Sequence, residues 1–325
     1  MTAKRQRGAA LVIVLMLVAT LSFVMLSITT TVTTGVRRGA NERLRTEMLW
    51  QAQAAERLAL SIVERAASGG ALKTASSEGG LFKQQIALPV ERGAASLRFA
   101  DASRCFNVNS IIDGDGKIVA DEKTRFGLLL GAIGLGENKG AAIADAVADF
   151  IDRDSSQESQ GAEDNFYTGL TTPFRTAGAP IASVSELRAI DGVTKEIYAR
   201  IAPFLCAREV NKRVEINANA LTPDFAPLIY AATDGTWPLE EIRAQISKTP
   251  PGGWSPDISA FWQPFGNPQG VNLAGLAGTE PTFIEARVLL EAEQRFVEET
   301  LIIKVPAGAA GGEPKVFSRV LGGGV

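Results

Sequence analysis

Between Asp149 and Asp164 the chain places six carboxylates in sixteen residues: Asp149, Asp152, Asp154, Glu158, Glu163 and Asp164. Ionised groups at that density repel one another unless a cation sits among them. The donors on offer are hard oxygens, which suits Ca²⁺ with its six to eight oxygen ligands and makes zinc unattractive. The spacing is not that of an EF-hand, because Asp152-x-Asp154 opens like one but Gly161 and Glu163 fall out of place. Composition alone leaves two readings open, a calcium-holding loop and a solvated acidic loop capping the preceding helix.

Other chemistry is thin. The chain contains no histidine, which removes Ser-His-Asp and Cys-His catalysis, histidine zinc sites and histidine pH switching. Beyond scattered carboxylates nothing supports an enzyme. A net charge of −3 argues against a nucleic-acid partner, which favours a basic face. Two cysteines, Cys105 and Cys206, fall in the part of the chain expected outside the cytoplasm. One disulfide is the economical reading there, and two unrelated buried thiols the alternative.

The elements that must position the acidic stretch are short helices. Periodicity predicts helices over Lys123–Leu135 and Lys139–Asp152, the second delivering Asp149 and Asp152 to the loop. Two more follow at Ser185–Ile190 and Thr194–Leu205, the first opened by a capping box, Ser183-Val-Ser-Glu186. Leu187 to Val193, with Gly192 in the turn, resembles the helix-hairpin-helix of DNA-binding proteins. Only Arg188 and Lys195 stand close to that turn, and Asp191 sits in it, a poor environment for phosphates. Two similar segments, Phe106-Asn-Val-Asn109 and Ile216-Asn-Ala-Asn219, are expected to lie side by side, with Cys105–Cys206 tying their starts together. Trp254, Phe261, Trp262 and Phe265 read as core anchors, or in part as an exposed partner surface. Strands are expected over Ala94–Ala100, Thr282–Glu291, Arg295–Val305 and Lys315–Val320.

The N-terminal end decides where all this is displayed. A short leader carrying Lys4, Arg5 and Arg7 meets an uncharged apolar run from Ala9 to Leu26, and Ser27–Val36 can extend the helix to the interface. The basic leader would stay in the cytoplasm. Residues 37–69 then read as an amphipathic helix, its apolar stripe being Leu44, Met48, Ala52, Ala55, Ala59, Ile62, Val63 and Ala66. A cleaved secretory signal and a plain signal anchor both compete for the apolar run. A third reading comes from Arg7-Gly8 followed at once by Ala9, which resembles the prepilin signal of type IV pilins and type II secretion pseudopilins.

The wider resemblance is to the K-type minor pseudopilins of type II secretion. It is carried by Asp149-Phe-Ile-Asp-Arg-Asp154, Gly161-Ala-Glu-Asp-Asn-Phe-Tyr167, Pro173-Phe-Arg175, Ser185-Glu-Leu-Arg188 and the two Asn-x-Asn segments. It implies an α+β fold in which a membrane and amphipathic helix packs on an antiparallel sheet. A large all-α domain, helix-hairpin-helix or SAM-like, is inserted into that sheet. The implied division is a leader at 1–8, a transmembrane helix at 9–36, an amphipathic helix at 37–69, a head at 70–106 and 263–321, and an insert at 107–262. By the same resemblance a prepilin peptidase cuts between Gly8 and Ala9 and methylates Ala9. The fifth mature position, where most relatives carry Glu, is Ile13, as in the subunit at the fibre tip. Asp152, Asp154, Glu163 and Asp164 are the implied Ca²⁺ ligands, with Asp149 and Glu158 as secondary candidates. The implied partners are the I- and J-type minor pseudopilins in a heterotrimer, then the exported substrate and the secretin. The implied location is the inner membrane, single-pass, with the globular region in the periplasm. The rival function is a DNA-uptake pilin-like protein using the helical hairpin.

Overall fold

The computed structural model describes residues 3–90, 92–254, 258–266, 273–293, 295–306 and 312–324. Its organising element is one unbroken helix, α1 (Ala3–Ser68). Positions 9–36 are exposed throughout, and the stretch is long and apolar enough to cross a membrane. Its threonines do not interrupt it, because Thr29 and Thr33 donate to the carbonyls of Met25 (2.9 Å) and Thr29 (2.8 Å) four residues back. Met1 and Thr2, at the start of the leader, lie outside the described residues.

The second half of α1 buries Leu44, Met48, Ala52, Ala55, Ala59 and Val63, at spacings of three and four. Ile62 and Ala66, expected on the same stripe, are partly buried. The helix stops where Gly70 takes a left-handed conformation (φ 70°) that a side chain would disfavour.

The stripe packs on a five-stranded antiparallel sheet. Its strands are β1 (Gln85–Leu88), β2 (Ala94–Asp101), β7 (Phe283–Ala292), β8 (Arg295–Lys304) and β9 (Lys315–Gly324), in that spatial order. Leu97 and Phe99 of β2, Ile284, Ala286, Val288 and Leu290 of β7, and Leu301 and Ile303 of β8 alternate inward and close the core on α1. Each of the larger of these side chains, fully buried, contributes about 1.5–3 kcal/mol.

β2 and β7 are sheet neighbours although 181 residues, 102–282, separate them. That excursion forms a second unit with its own apolar core. It contains β3 (Phe106–Asn107), β4 (Leu205–Cys206), β5 (Ile216–Asn217) and β6 (Ala277–Gly278). Its helices are α2 (Ala120–Leu130), α3 (Glu137–Ile151), α4 (Asp164–Thr168), α5 (Lys195–Ile201), α6 (Ala226–Ala232), α7 (Leu239–Ile246) and α8 (Ser259–Trp262). Val184–Ala189, the first arm of the helical hairpin, is a 3₁₀ turn, and its Ser183–Glu186 capping box is formed. Trp254, Phe261 and Trp262 are buried in this core and Phe265 is packed against it, as core anchors should be. The core continues beyond position 262 to Leu276 and Ala277.

The cysteines are joined: Cys105 and Cys206 form a disulfide across a Cα–Cα distance of 5.7 Å. The two Asn-x-Asn segments do not lie side by side. Phe106-Asn107 pairs with Leu205-Cys206, and Ile216-Asn217 pairs with Ala277-Gly278, both in parallel. What the segments share is a local device. Asn107 Oδ1 accepts from Asn109 N (3.2 Å), Asn217 Oδ1 accepts from Asn219 N (3.1 Å), and each then turns into a 3₁₀ helix. Two strands of two residues leave no periodicity from which a pairing could be read.

The second unit leaves the sheet at the end far from the apolar half of α1. Near the start of the amphipathic half, Arg38, Arg45 and Met48 share a groove with Arg295, Phe296 and Leu321, so the β7–β8 turn and the end of β9 lie toward the apolar half of α1. At the other end Asn219 Nδ2 donates to Lys73 O (3.3 Å) and Thr279 O (2.9 Å), and Asn217 Nδ2 to Asp101 Oδ2 (2.7 Å). Ser103 Oγ accepts from Thr282 N (2.8 Å) and Phe283 N (2.9 Å) and is fully buried, fastening the outgoing and returning chains together.

Candidate metal centre

α3 supplies the acidic side chains. Ile143, Val147 and Ile151 bury one face in the core of the second unit, while Asp145, Asp149 and Asp152, four and three residues apart, share another. The helix ends at Ile151, and Asp152 is its C-cap with extended backbone (φ −75°, ψ 175°). A carboxylate there faces the negative end of the helix dipole, an electrostatic cost added to burial. The backbone then leaves α3 through Arg153, whose N–H donates to Gly116 O (3.1 Å). The chain returns over the Asp149 side chain at Gly161, where a Cβ would collide with that carboxylate.

Three carboxylates converge. One oxygen each of Asp149, Asp152 and Glu163 lie within 4.8 Å of one another, and the residues are 1%, 2% and 7% exposed. Both oxygens of Asp152 and one of Glu163 are buried without a hydrogen-bond partner. Two ionised groups at such a distance repel by about 3–4 kcal/mol at an effective dielectric near 20. The pKa values follow. Burial, then the charges of Asp154, Glu163, Asp149 and Glu158, push Asp152 up to about 7. Burial pushes Asp149 up to about 6 against the lowering effect of the Glu158 N–H, with Glu163, Glu158 and Asp145 raising it further. Glu163 is raised chiefly by burial and by Asp154 and Asp164.

The remaining candidates are placed differently. Asp154 stands at the exposed rim, accepts from Ser156 N (2.7 Å), and is close enough to raise both Asp152 and Glu163. Asp164 is engaged elsewhere: its Oδ1 accepts from Thr176 N and Thr176 Oγ1 (both 2.9 Å), its Oδ2 from Arg175 (3.0 Å), and its pKa is lowered, first by the Thr176 N–H. Glu158 is bound by Lys123 (2.6 Å), and Lys123 also holds Asp145 (2.9 Å). Burial works against the lysine's charge, but Glu158 and Asp145 outweigh it and raise its pKa. Asp145 and Lys123 are participants that the carboxylate count misses. Asp145 had one signal, its place four residues before Asp149 on the helix.

This donor set fits a hard divalent cation. Every converging group is a carboxylate, both oxygens of Asp152 and one of Glu163 lack a hydrogen-bond partner, and no sulfur or imidazole competes.

A membrane-length helix that continues as the packing face of an antiparallel sheet, with a helical unit inserted between two neighbouring strands, defines a pilin-class subunit. Residues 104–210 match the family model "Type II secretion system (T2SS), protein K". Type II secretion system protein K of Pectobacterium carotovorum is 32% identical over 256 residues, 77% of each chain. The putative protein K of Escherichia coli K12 is 30% identical over 261 residues, 79% of each. The fold matches a chain of the GspK-GspI-GspJ complex from the type 2 secretion system of enterotoxigenic Escherichia coli, with a TM-score of 0.67, 22% identity, and coverage of 88% of this chain and 99% of that one. The chain therefore belongs to the type II secretion system protein K family and is a minor pseudopilin. That membership does not favour the DNA-uptake alternative for the Leu187–Val193 hairpin.

Proposed function

We propose that this minor pseudopilin caps the tip of the type II secretion pseudopilus, held by α1 in the inner membrane with its globular region in the periplasm. The observation that carries the reading is where the helical unit sits. It leaves the sheet at the end remote from the apolar half of α1, where Asn217 and Asn219 tie it to Asp101 and Lys73. A subunit added above would meet this mass, whereas subunits below meet only helix and sheet. In this reading a prepilin peptidase cuts between Gly8 and Ala9, Ala9 becomes the methylated N-terminus, and Ile13 is the fifth mature residue. The partners are minor pseudopilins of the I and J types, with the exported substrate and the secretin above. A Ca²⁺ ion held by Asp149, Asp152 and Glu163, with Asp154 at the rim, offsets their repulsion and keeps the segment between α3 and α4 folded. No bond chemistry is involved.

The experiment is co-purification of the tagged full chain, extracted from membranes, with I- and J-type minor pseudopilins. A complex with one copy of each is expected. Recovery of the chain alone under conditions that preserve an I–J pair counts against the tip assembly.

A further inference from the structure

The acidic segment divides into two halves that are treated differently. In one half Asp152 and Glu163 leave three oxygens buried and unpartnered. In the other, Lys123 Nζ lies 2.9 Å from Asp145 Oδ1 and 2.6 Å from Glu158 Oε2, with the lysine side chain 18% exposed. Lys123 reaches this position because it shares a face of α2 with Phe126 and Leu130, both fully buried in the core of the second unit.

Around this ammonium the loop backbone is fastened to α3. Glu158 N donates to both oxygens of Asp149 (3.0 and 3.2 Å), and Gln160 N donates to Asp145 Oδ2 (3.1 Å). Asp145 and Asp149 stand one helical turn apart, as the two loop N–H groups require. Within the loop, Gly161 N donates to Glu158 O (3.1 Å) and Gln157 Nε2 to Gly161 O (2.7 Å). Glu158 thus contributes its carboxylate to Lys123 and its N–H to Asp149, and only the second of these faces the converging carboxylates.

We propose that the acidic segment is served by two cations, one built in and one bound. Lys123 is a positioning residue that docks residues 158–161 on α3 whether or not a metal is present, and so presents Asp149 already oriented to the site. A divalent ion has only Asp149, Asp152, Glu163 and the rim left to organise. The lysine's part stands on its own contacts; the divalent ion's part rests on the metal reading above. Without Lys123, Asp145 and Glu158 become two more uncompensated acids in a crowded segment, and the loop lifts off.

The test is hydrogen exchange at the amides of Glu158 and Gln160 in the full chain reconstituted in nanodiscs, first with chelator and then with Ca²⁺. In the parent these amides stay protected under chelator. Lys123→Met keeps the apolar stem and removes the charge, and should speed their exchange by about tenfold or more, the scale expected from losing a charge-assisted hydrogen bond. Lys123→Arg should restore protection. Glu158→Gln keeps the N–H and breaks the ion pair, so it should release the same amides and covers the case in which Lys123→Met does not fold. Unchanged exchange in both variants overturns the latch, as does release of these amides in the parent by chelator alone. If instead Ca²⁺ fails to slow exchange around Asp152 and Glu163 in the parent while Lys123→Met still frees 158 and 160, the metal reading falls and the latch stands.

Discussion

Asp152 carries a heavy electrostatic burden: 2% exposed, at the C-terminus of α3, near Asp149 and Glu163, with neither oxygen hydrogen-bonded. Its pKa of about 7 and that of Asp149 near 6 set the pH response. Both lie above their unfolded values, so in chelator these groups favour the fold while protonated, and that contribution is lost as pH rises through about 6 to 7. In the proposed calcium site the ion would take the deprotonated carboxylates, and its affinity would rise over the same range. The melting temperature in chelator should therefore fall between mildly acidic and mildly alkaline pH, while the increment from added Ca²⁺ grows. Asp152→Asn with Glu163→Gln should make the chelator profile shallower, leaving the part due to Asp149 and to Asp101, each raised to about 6 chiefly by burial, and should remove the calcium increment, read by calorimetry; a calcium shift that survives both changes contradicts the ligand set. The ranking of the six carboxylates was not legible in the sequence, because it depends on partners far along the chain. Lys123 removes Glu158 from across 35 residues, and Thr176 and Arg175 occupy Asp164. Asp149, a secondary candidate by resemblance, is central because the returning loop must pass over it at Gly161.

At the scale of elements, what repeats was readable and what pairs only once was not. The α1 stripe and the alternation in β2, β7 and β8 come directly from periodic burial of apolar residues. The parallel bridges β3–β4 and β5–β6 have no period, and the repeated Asn-x-Asn wording suggested a pairing that the backbone does not make. Local identity reflected the same turn used twice, once to seat Asn107 and Asn109 on the Ile181 and Arg208–Lys212 backbone and once to bind the insert to the head. The disulfide sits at this neck, packed with Val214 and Phe283 between the two larger cores, and its partners are 101 residues apart. Closing a loop of that length restricts the unfolded chain by roughly 4–5 kcal/mol in the chain-entropy model. Replacing both cysteines by serine should lower the unfolding free energy in urea by about that ceiling or less. An unchanged urea midpoint would mean that the noncovalent contacts of the neck, among them those of Asn217, Asn219 and Ser103 and the Lys304–Glu209 ion pair, hold it without the disulfide.

For the whole molecule, the proposed tip position rests on a contrast between an N-terminal rod that any pilin-class subunit could use and a helical unit at the far end of the sheet, which in that proposal closes further growth. Ile13 lies in the exposed apolar run, where a carboxylate would be costly unless a neighbour's amine met it. In the proposed assembly, with Ala9 as the first mature residue, a subunit inside the fibre would use an acid at this height to receive the N-terminus of the subunit above, and a subunit at the tip would have no such neighbour. Ile13→Glu separates the two contributions, since it supplies the acid and leaves the helical unit in place. If the missing acid is what confines the chain to the tip, the variant should appear at internal positions of overproduced pseudopili, detected by site-specific crosslinking to the neighbour above. Tip-only placement of a stable, processed Ile13→Glu protein would show that the inserted unit alone sets the position. In that case shortening the unit, and not altering the rod, would be required to let another subunit add above it.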